Sequence, residues 1–376
     1  MKRLSLKTKD ISVPFWIGHD YFDFVINDIK TLNIDKAFII SDPFVWNTYG
    51  EHFLKAAQGL LQIECLLFEG DENSKSLGNV ERLAIQAINA DVSRRSVIIA
   101  MGGGLVGNIG GMLAGLLFRG IQLIHIPTTF LAMHDSVTSL KQGVNCNGVK
   151  NIVGIYHIPT AVYIDTHFLT TLPLRHIWAG MVELVKNALI IGGNYKEKLE
   201  AFLNHPGDNF KGNFEELLNL GIEAKLRFLC DDPHERNKAL VFEYGHTIGH
   251  AIEITSAGSL NHGESVAWGL WCEGWISSQL GYMSAEGFAR HNRFLSLLKE
   301  LKKPEEIKPL EEILRAVWLD NKRGYRDRKP QAVDMVLLRE PGSVVTDQSG
   351  YPLTQVPMEL VEVSLINLMK QWESQC

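Results

Sequence analysis

The stretch SVIIAMGGGLVGNIGGMLAGLLF, residues 96–118, carries no charged side chain. It is long enough to cross a bilayer as a helix. It also holds seven glycines, and Gly102, Gly103 and Gly104 are consecutive. Three glycines in a row would break a spanning helix near its middle. The stretch therefore reads as a buried strand ending at Met101, a glycine turn, and a buried helix. This reading excludes a membrane partner.

The flanking sequence continues the pattern. KAFIISD (36–42), IECLLFE (63–69), LIHIPTT (123–129) and AVYID (161–165) are short runs rich in β-branched residues. They are apolar throughout rather than alternating, as parallel strands covered on both faces require. NVERLAIQAINA (79–90) supplies a helix between two of them. The pattern predicts an α/β, doubly wound, mostly parallel sheet of Rossmann-like type. After about residue 170 helical periodicity takes over, as in AGMVELVKNALI (179–190) and ESVAWGLWCEGWISSQL (264–280). VDMVLL (333–338) is a late strand candidate. The expected division is an α/β nucleotide-binding domain over 1–170 and a mostly helical domain over 171–376.

Composition narrows the function classes. Hydrophobic residues make up 45% and charged residues 21%, and the formal net charge is -6. No long basic tract exists, which argues against nucleic acid. The five cysteines, Cys65, Cys146, Cys230, Cys272 and Cys376, are widely spaced with no CxxC. That pattern argues against a disulfide framework or a thiolate zinc site and for a reducing, cytoplasmic compartment. MKRLSLKTKDISVPF has no apolar run behind its basic residues, so it does not read as a signal peptide.

Gly102, Gly104 and Gly107 fall in GxGxxG spacing between a strand and a helix. Such glycines let backbone approach a diphosphate, and the helix N-terminus offers free N–H groups. A tight strand–helix turn without ligand would look the same. The acid usually found about 20 residues downstream is missing. Asp42 ends an earlier strand and could take ribose hydroxyls instead.

FEYGHTIGHAIE (242–253) places His246 and His250 four residues apart, and NHGE follows with His262. A catalytic zinc takes three N/O protein ligands and keeps one open position. Glu183, on an earlier predicted helix, could complete a set with His246 and His262. HExxH is absent, because Thr247 follows His246. Paired histidines are more often ordinary surface or core residues, and single lysines are mostly solvated charges. Lys141, Lys150, Lys186, Lys225 and Lys322 matter only if the fold collects them around a phosphate.

GDENSKS, MGGGLVGNIGG, FRGIQLIHIPTTFLA, DSVTSLKQGVN, TLPLR, AGMVELVKN, the two histidine clusters and DNKRGY, taken in order, resemble the sugar phosphate cyclases, the group that includes dehydroquinate synthase. The resemblance runs over nearly the whole chain. It implies an NAD- and metal-dependent lyase that carbocyclises a sugar phosphate with loss of phosphate, reducing and reoxidising NAD within each turnover. Glu183, His246 and His262 then match the zinc or cobalt ligands. Asp42, Glu72, Lys75, Gly103, Gly104, Leu105, Val106, Gly107, Asn108, Thr128, Thr129, Lys141, Lys150 and Asn151 match positions that surround NAD. Asp135, Lys186, Lys225, His250 and Lys322 match positions around substrate and phosphate. Arg119 matches a residue that reaches the phosphate of a neighbouring subunit, which implies a homodimer. Lys141 and Glu243 are the candidates for proton transfer.

Three positions depart from the dehydroquinate synthase pattern. Glu243 stands where that enzyme has Asn. Ala239 stands where it has an Arg that helps hold the substrate's carboxylate. Val149 stands where relatives carry Gly. A buried Arg without a counter-charge is costly, so Ala239 fits a neutral sugar such as glucose 6-phosphate. The alternatives are dehydroquinate synthase itself, a sedoheptulose 7-phosphate cyclase, and a metal-dependent polyol dehydrogenase.

Overall fold

The computed structural model describes residues 1–204, 213–299, 301–327 and 329–374, so Cys376 lies outside it. The chain forms two compact units. The first comprises residues 1–147, 151–173 and 214–234, and the second 148–150, 174–213 and 235–376. The chain thus passes out of the first unit after Pro173 and returns to it over residues 214–234.

The first unit is built on a seven-stranded sheet. Its strands are β1 (Lys2–Lys7), β2 (Ser12–Gly18), β3 (Ala37–Ser41), β4 (Ile63–Leu67), β5 (Val97–Gly102), β6 (Gln122–Pro127) and, after a hairpin of β7 (Lys141–Cys146) and β8 (Val149–Tyr156), β9 (Ala161–Asp165). The spatial order is β1-β2-β9-β6-β5-β3-β4. Every pairing is parallel except that of β1 with β2. β3, β5 and β9 are buried at every residue, which is why their sequences show no alternation. Helices α1 (Phe22–Lys30), α2 (Pro43–Ala57), α3 (Leu77–Asn89), α4 (Gly104–Leu116) and the short α5 (Phe130–His134) fill the crossovers. One core cluster joins Phe38, Ile40, Ile98 and Ala100 of the sheet to Leu83 of α3 and Ile109 and Leu113 of α4.

The second unit is mostly helical. It holds α6 (Leu174–Ile191), α7 (Gly193–Asn204), α9 (His246–Thr255), α10 (His262–Gln279), α11 (Ala285–Leu295), α12 (Leu310–Trp318) and α13 (Met358–Ser374). The returning helix α8 (Phe214–Leu229) belongs to the first unit. The late strand expected at 333–338 is β10 (Ala332–Val336), paired antiparallel with β13 (Leu353–Pro357). β11 (Leu338–Glu340) and β12 (Ser343–Val344) form a smaller hairpin. Among the described residues, no helix is long and apolar enough to cross a membrane.

α9 and α10 pack at backbone range. A methyl group at Gly269 of α10 would run into the Gly245 carbonyl oxygen and come within 2.7 Å of Gly249 N. A methyl at Gly78, in the first turn of α3, meets only Ser76 Oγ at 3.9 Å. Opposite signs follow for the same substitution. Gly269→Ala should destabilise by about 1–3 kcal/mol, whereas Gly78→Ala should be neutral or stabilise by about 0.5–1 kcal/mol. Denaturant unfolding of both variants checks this.

Candidate active site

The glycine turn forms as expected. β5 ends at Gly102 and α4 starts at Gly104, with Gly103 as an N-cap that has no side chain to offer. A methyl on Gly102 would collide with Val106, and one on Gly103 would press on Thr129 at 3.2 Å. The first-turn N–H groups of α4, which include those of Leu105 and Val106, form an anion-ready helix terminus. Asn108 works inside the fold: its Nδ2 donates to Gly104 O (2.9 Å) and its Oδ1 accepts from Gly143 N (3.1 Å), tying α4 to β7. A small cavity under the turn is lined by Gly103, Gly104, Gly107, Asn108, His125 and Ser136, among others. Burial pushes His125 down to about 4, so it lies there as a neutral ring.

Other first-unit residues named from the sequence hold defined positions. Asp42 caps α2, accepting from Val45 N at 3.0 Å. Thr129 caps α5, accepting from Ala132 N, and Thr128 N donates to Gly102 O at 2.9 Å. Glu72 accepts from Asn145 Nδ2 (2.8 Å), and Lys75 Nζ donates to Asn151 Oδ1 (2.5 Å). Lys141 opens β7, half-buried. Val149 starts β8, and the left-handed backbone falls on its neighbours Gly148 (φ 73°) and Asn151 (φ 50°), so a side chain is accommodated where relatives have Gly. Asp135 and Lys225 form a largely buried ion pair of 2.6 Å. Arg119 is exposed in the turn after α4, with φ 68°.

The histidines gather in the second unit. Glu183 of α6 is fully buried, and its Oε1 lies 3.7 Å from His246 Nε2 and 3.5 Å from His262 Nε2. One donor atom from each of the three falls within 4.8 Å of the others. Ligands on a tetrahedral zinc with bonds of about 2.1 Å sit roughly 3.4 Å apart, so the set fits a divalent ion. The other oxygen, Glu183 Oε2, pairs with Lys186 Nζ at 2.5 Å. Lys186 is itself buried, over the Phe242 ring. His250 faces both metal-set rings, with centroids at 5.1 Å from His246 and 5.8 Å from His262.

The electrostatics suit cation binding. Burial pulls Glu183 toward the neutral acid, but Lys186 and the two histidines outweigh it and hold the carboxyl well below its usual range. Burial and the Lys186 charge push His246 down to about 4, against Glu183 and Glu243, leaving a neutral imidazole ready to ligate. His262 goes the other way: burial is overcome by Glu253 and Glu183, which hold it up to about 9. Glu243 Oε2 lies 3.4 Å from Lys322 Nζ, which is fully buried and also paired with Asp320 at 2.9 Å. Burial lowers the Lys322 pKa, but Asp320 and Glu243 together raise it.

Two carboxylates essential to this arrangement escaped the sequence reading. Glu273, from the apolar helix α10, accepts from Gly245 N (2.6 Å) and Ile248 N (3.3 Å) at the start of α9. Its sequence signal is an acid in the apolar middle of that helix, GLWCEGWI. Glu253 accepts from His262 Nδ1 at 3.0 Å and pairs with Lys150. It lies seven residues after His246, two helical turns on, so spacing could have flagged it.

The 3-dehydroquinate synthase N-terminal model matches residues 65–179 and the C-terminal model residues 180–323. The chain belongs to the dehydroquinate synthase-like sugar phosphate cyclases. Within that family it is 36% identical to a 2-deoxy-scyllo-inosose synthase from Streptomyces kanamyceticus, over 96% of this chain and 93% of the relative. It is 39% identical to that of Streptomyces ribosidificus, again over 96% and 93%. A crystal structure of 2-deoxy-scyllo-inosose synthase complexed with carbaglucose-6-phosphate, NAD+ and Co2+ superposes with a TM-score of 0.88 at 36% identity, covering 96% of this chain and 98% of that one.

The three-residue set makes a sharp prediction. His246→Ala and His262→Ala should each lose the bound divalent ion, and His250→Ala should retain it. Metal analysis of the three purified variants after dialysis decides it, and full metal content in His246→Ala breaks the assignment.

Proposed function

We propose that this cyclase converts glucose 6-phosphate to 2-deoxy-scyllo-inosose and phosphate, the entry step to the 2-deoxystreptamine aminoglycosides. The observation that carries the substrate assignment is the 3₁₀ segment Lys238–Glu243. Ala239 is wholly enclosed there and offers no charge to a substrate carboxylate, and Glu243 ends the segment paired with Lys322. The relatives named above support the same sugar.

When bound, NAD supplies a reversible oxidation of a substrate hydroxyl, and the divalent ion polarises the oxygen on that carbon and so acidifies the neighbouring C–H. The reading places NAD on the first unit, with the α4 terminus and the residues around Asp42, Lys75, Thr128, Thr129, Lys141 and Asn151. It places the ion on Glu183, His246 and His262. Lys186, Lys225, Lys322 and His250 serve the phosphate and the sugar hydroxyls. Asp135 fixes the Lys225 ammonium through their ion pair. Lys322 holds the Glu243 carboxylate in place at 3.4 Å, so that it can accept a proton from the sugar and return it. Lys141 is the second proton-transfer group. The family resemblance further points to a homodimer in which a second copy supplies Arg119 to the phosphate.

Two outcomes check the reading. A small fraction of a molar equivalent of NAD should support release of many equivalents of phosphate, with 2-deoxy-scyllo-inosose as the product by NMR. NADH accumulating in step with sugar consumed would instead identify a polyol dehydrogenase. Glu243→Gln should fold and bind both metal and NAD, yet turn over about a hundredfold to ten-thousandfold more slowly. Recovery of full turnover once metal saturates the variant would show that Glu243 only steadies the metal site.

A further inference from the structure

His262 is held from both sides. Its Nε2 faces Glu183 Oε1 at 3.5 Å, within the metal set, and its Nδ1 lies 3.0 Å from Glu253 Oε2. An ionised carboxylate only accepts, so Nδ1 must carry the hydrogen of that bond. That leaves Nε2 as the ring atom that faces the metal set, where a divalent ion would bind in place of its proton. Glu253 stands on the last turns of α9, the helix whose first residue is His246. Its second oxygen, Oε1, is taken by Lys150 Nζ. Both side chains of this ion pair are more than nine-tenths buried.

We propose that Glu253 is a positioning residue for the metal centre: it sets the tautomer and tilt of His262, and Lys150 holds Glu253 in place to do so. Lys150 has a second consequence. His250, Glu253 and His262 also bring donor atoms within 4.8 Å of one another, a group that could hold a cation of its own. The Lys150 ammonium already supplies the positive charge on Glu253, so this second group stays without metal and the chain binds one ion. Removing the carboxylate lets His262 rotate and leaves Lys150 without this counter-charge. Carboxylate partners of metal-bound histidines typically change metal affinity by roughly tenfold to a hundredfold.

The inference rests on the metal reading given above. The test is Co2+ titration of the full chain, followed by visible ligand-field absorption and by competition with a chelator, on wild type, Glu253→Gln, Glu253→Asp, Lys150→Met and His246→Ala. The expected result is one Co2+ per wild-type chain. Affinity should fall by about tenfold to a hundredfold in Glu253→Gln, with a shifted absorption band, and by less in Glu253→Asp, which keeps the acceptor but shortens its reach. Lys150→Met should shift the band and lower affinity in the same direction as Glu253→Gln but by less, because the bond between Glu253 and His262 survives without the ion pair that holds it. Unchanged affinity and band in Glu253→Gln overturn the inference. So does a second Co2+ per wild-type chain that disappears in Glu253→Gln, since Glu253 would then be a ligand. If Glu253→Gln fails to fold by circular dichroism, Glu253→Asp carries the decision, and wild-type affinity and band in that variant overturn the inference. Wild-type Co2+ binding by His246→Ala marks a different failure, that of the metal centre itself.

Discussion

Both candidate metal histidines occupy the first residue of a helix, His246 in α9 and His262 in α10. A helix N-terminus carries partial positive charge, so it is an unfavourable place for a cation. The second unit answers with buried carboxylates. Glu273 accepts from the first N–H groups of α9. Asn261 and Glu264 close a capping box on α10, with Glu264 braced by Arg175 at 2.6–2.8 Å. Glu183 then faces both rings. The helix ends are satisfied by side chains before any ion arrives, and the histidine backbones are fixed by bonds that do not involve the metal.

Burial exacts its own cost at Glu273. Desolvation moves its carboxyl up to about 8, although Gly245 N–H, Lys322 and Ile248 N–H favour the charged form. The folded state therefore binds a proton more tightly than the unfolded chain between the ordinary glutamate range and about pH 8. Over that window this group's contribution to stability declines as pH rises. The same α10 residue that orders the α9 terminus thus carries an electrostatic cost, which the Lys322 ammonium offsets in part and the Asp320 carboxylate increases.

Much of this was readable in the chain. The apolar runs 36–42, 96–101, 123–129 and 161–165 became inner parallel strands, because burial on both faces removes alternation and leaves a strong signal, and 63–69 became the less buried edge strand β4. β1 and β2 were not read. β1 is the edge strand and β2 lies next to it; KRLSLK mixes charged and apolar residues, and Pro14 interrupts SVPFWIG. The β7–β8 hairpin gives only a weak strand signal, because QGVNCNGVKN (142–151) carries glycines and asparagines through its middle. The helix α8 returns to the first unit through tertiary packing that local periodicity does not encode. At the site, the donor set followed from residue type and family pattern. Of the partners that orient it, Glu273 gave no local signal, because it acts on the distant Gly245 and Ile248 amides, whereas Glu253 lay within helical spacing of His246.

The glycine contact between α9 and α10 has a consequence for how such an enzyme can change over generations. With Gly245 and Gly249 set against Gly269, no side chain separates the two helices there. The spacing between the histidine pair is therefore inherited with the backbone, and cannot be tuned by trading one core residue for another a methylene at a time. Divergence toward a different ion or a different sugar has to proceed by exchanging the groups that project from this frame, as at Ala239 and Glu243. A lineage can repaint the walls of the chamber, while the distance between its two main posts stays the same.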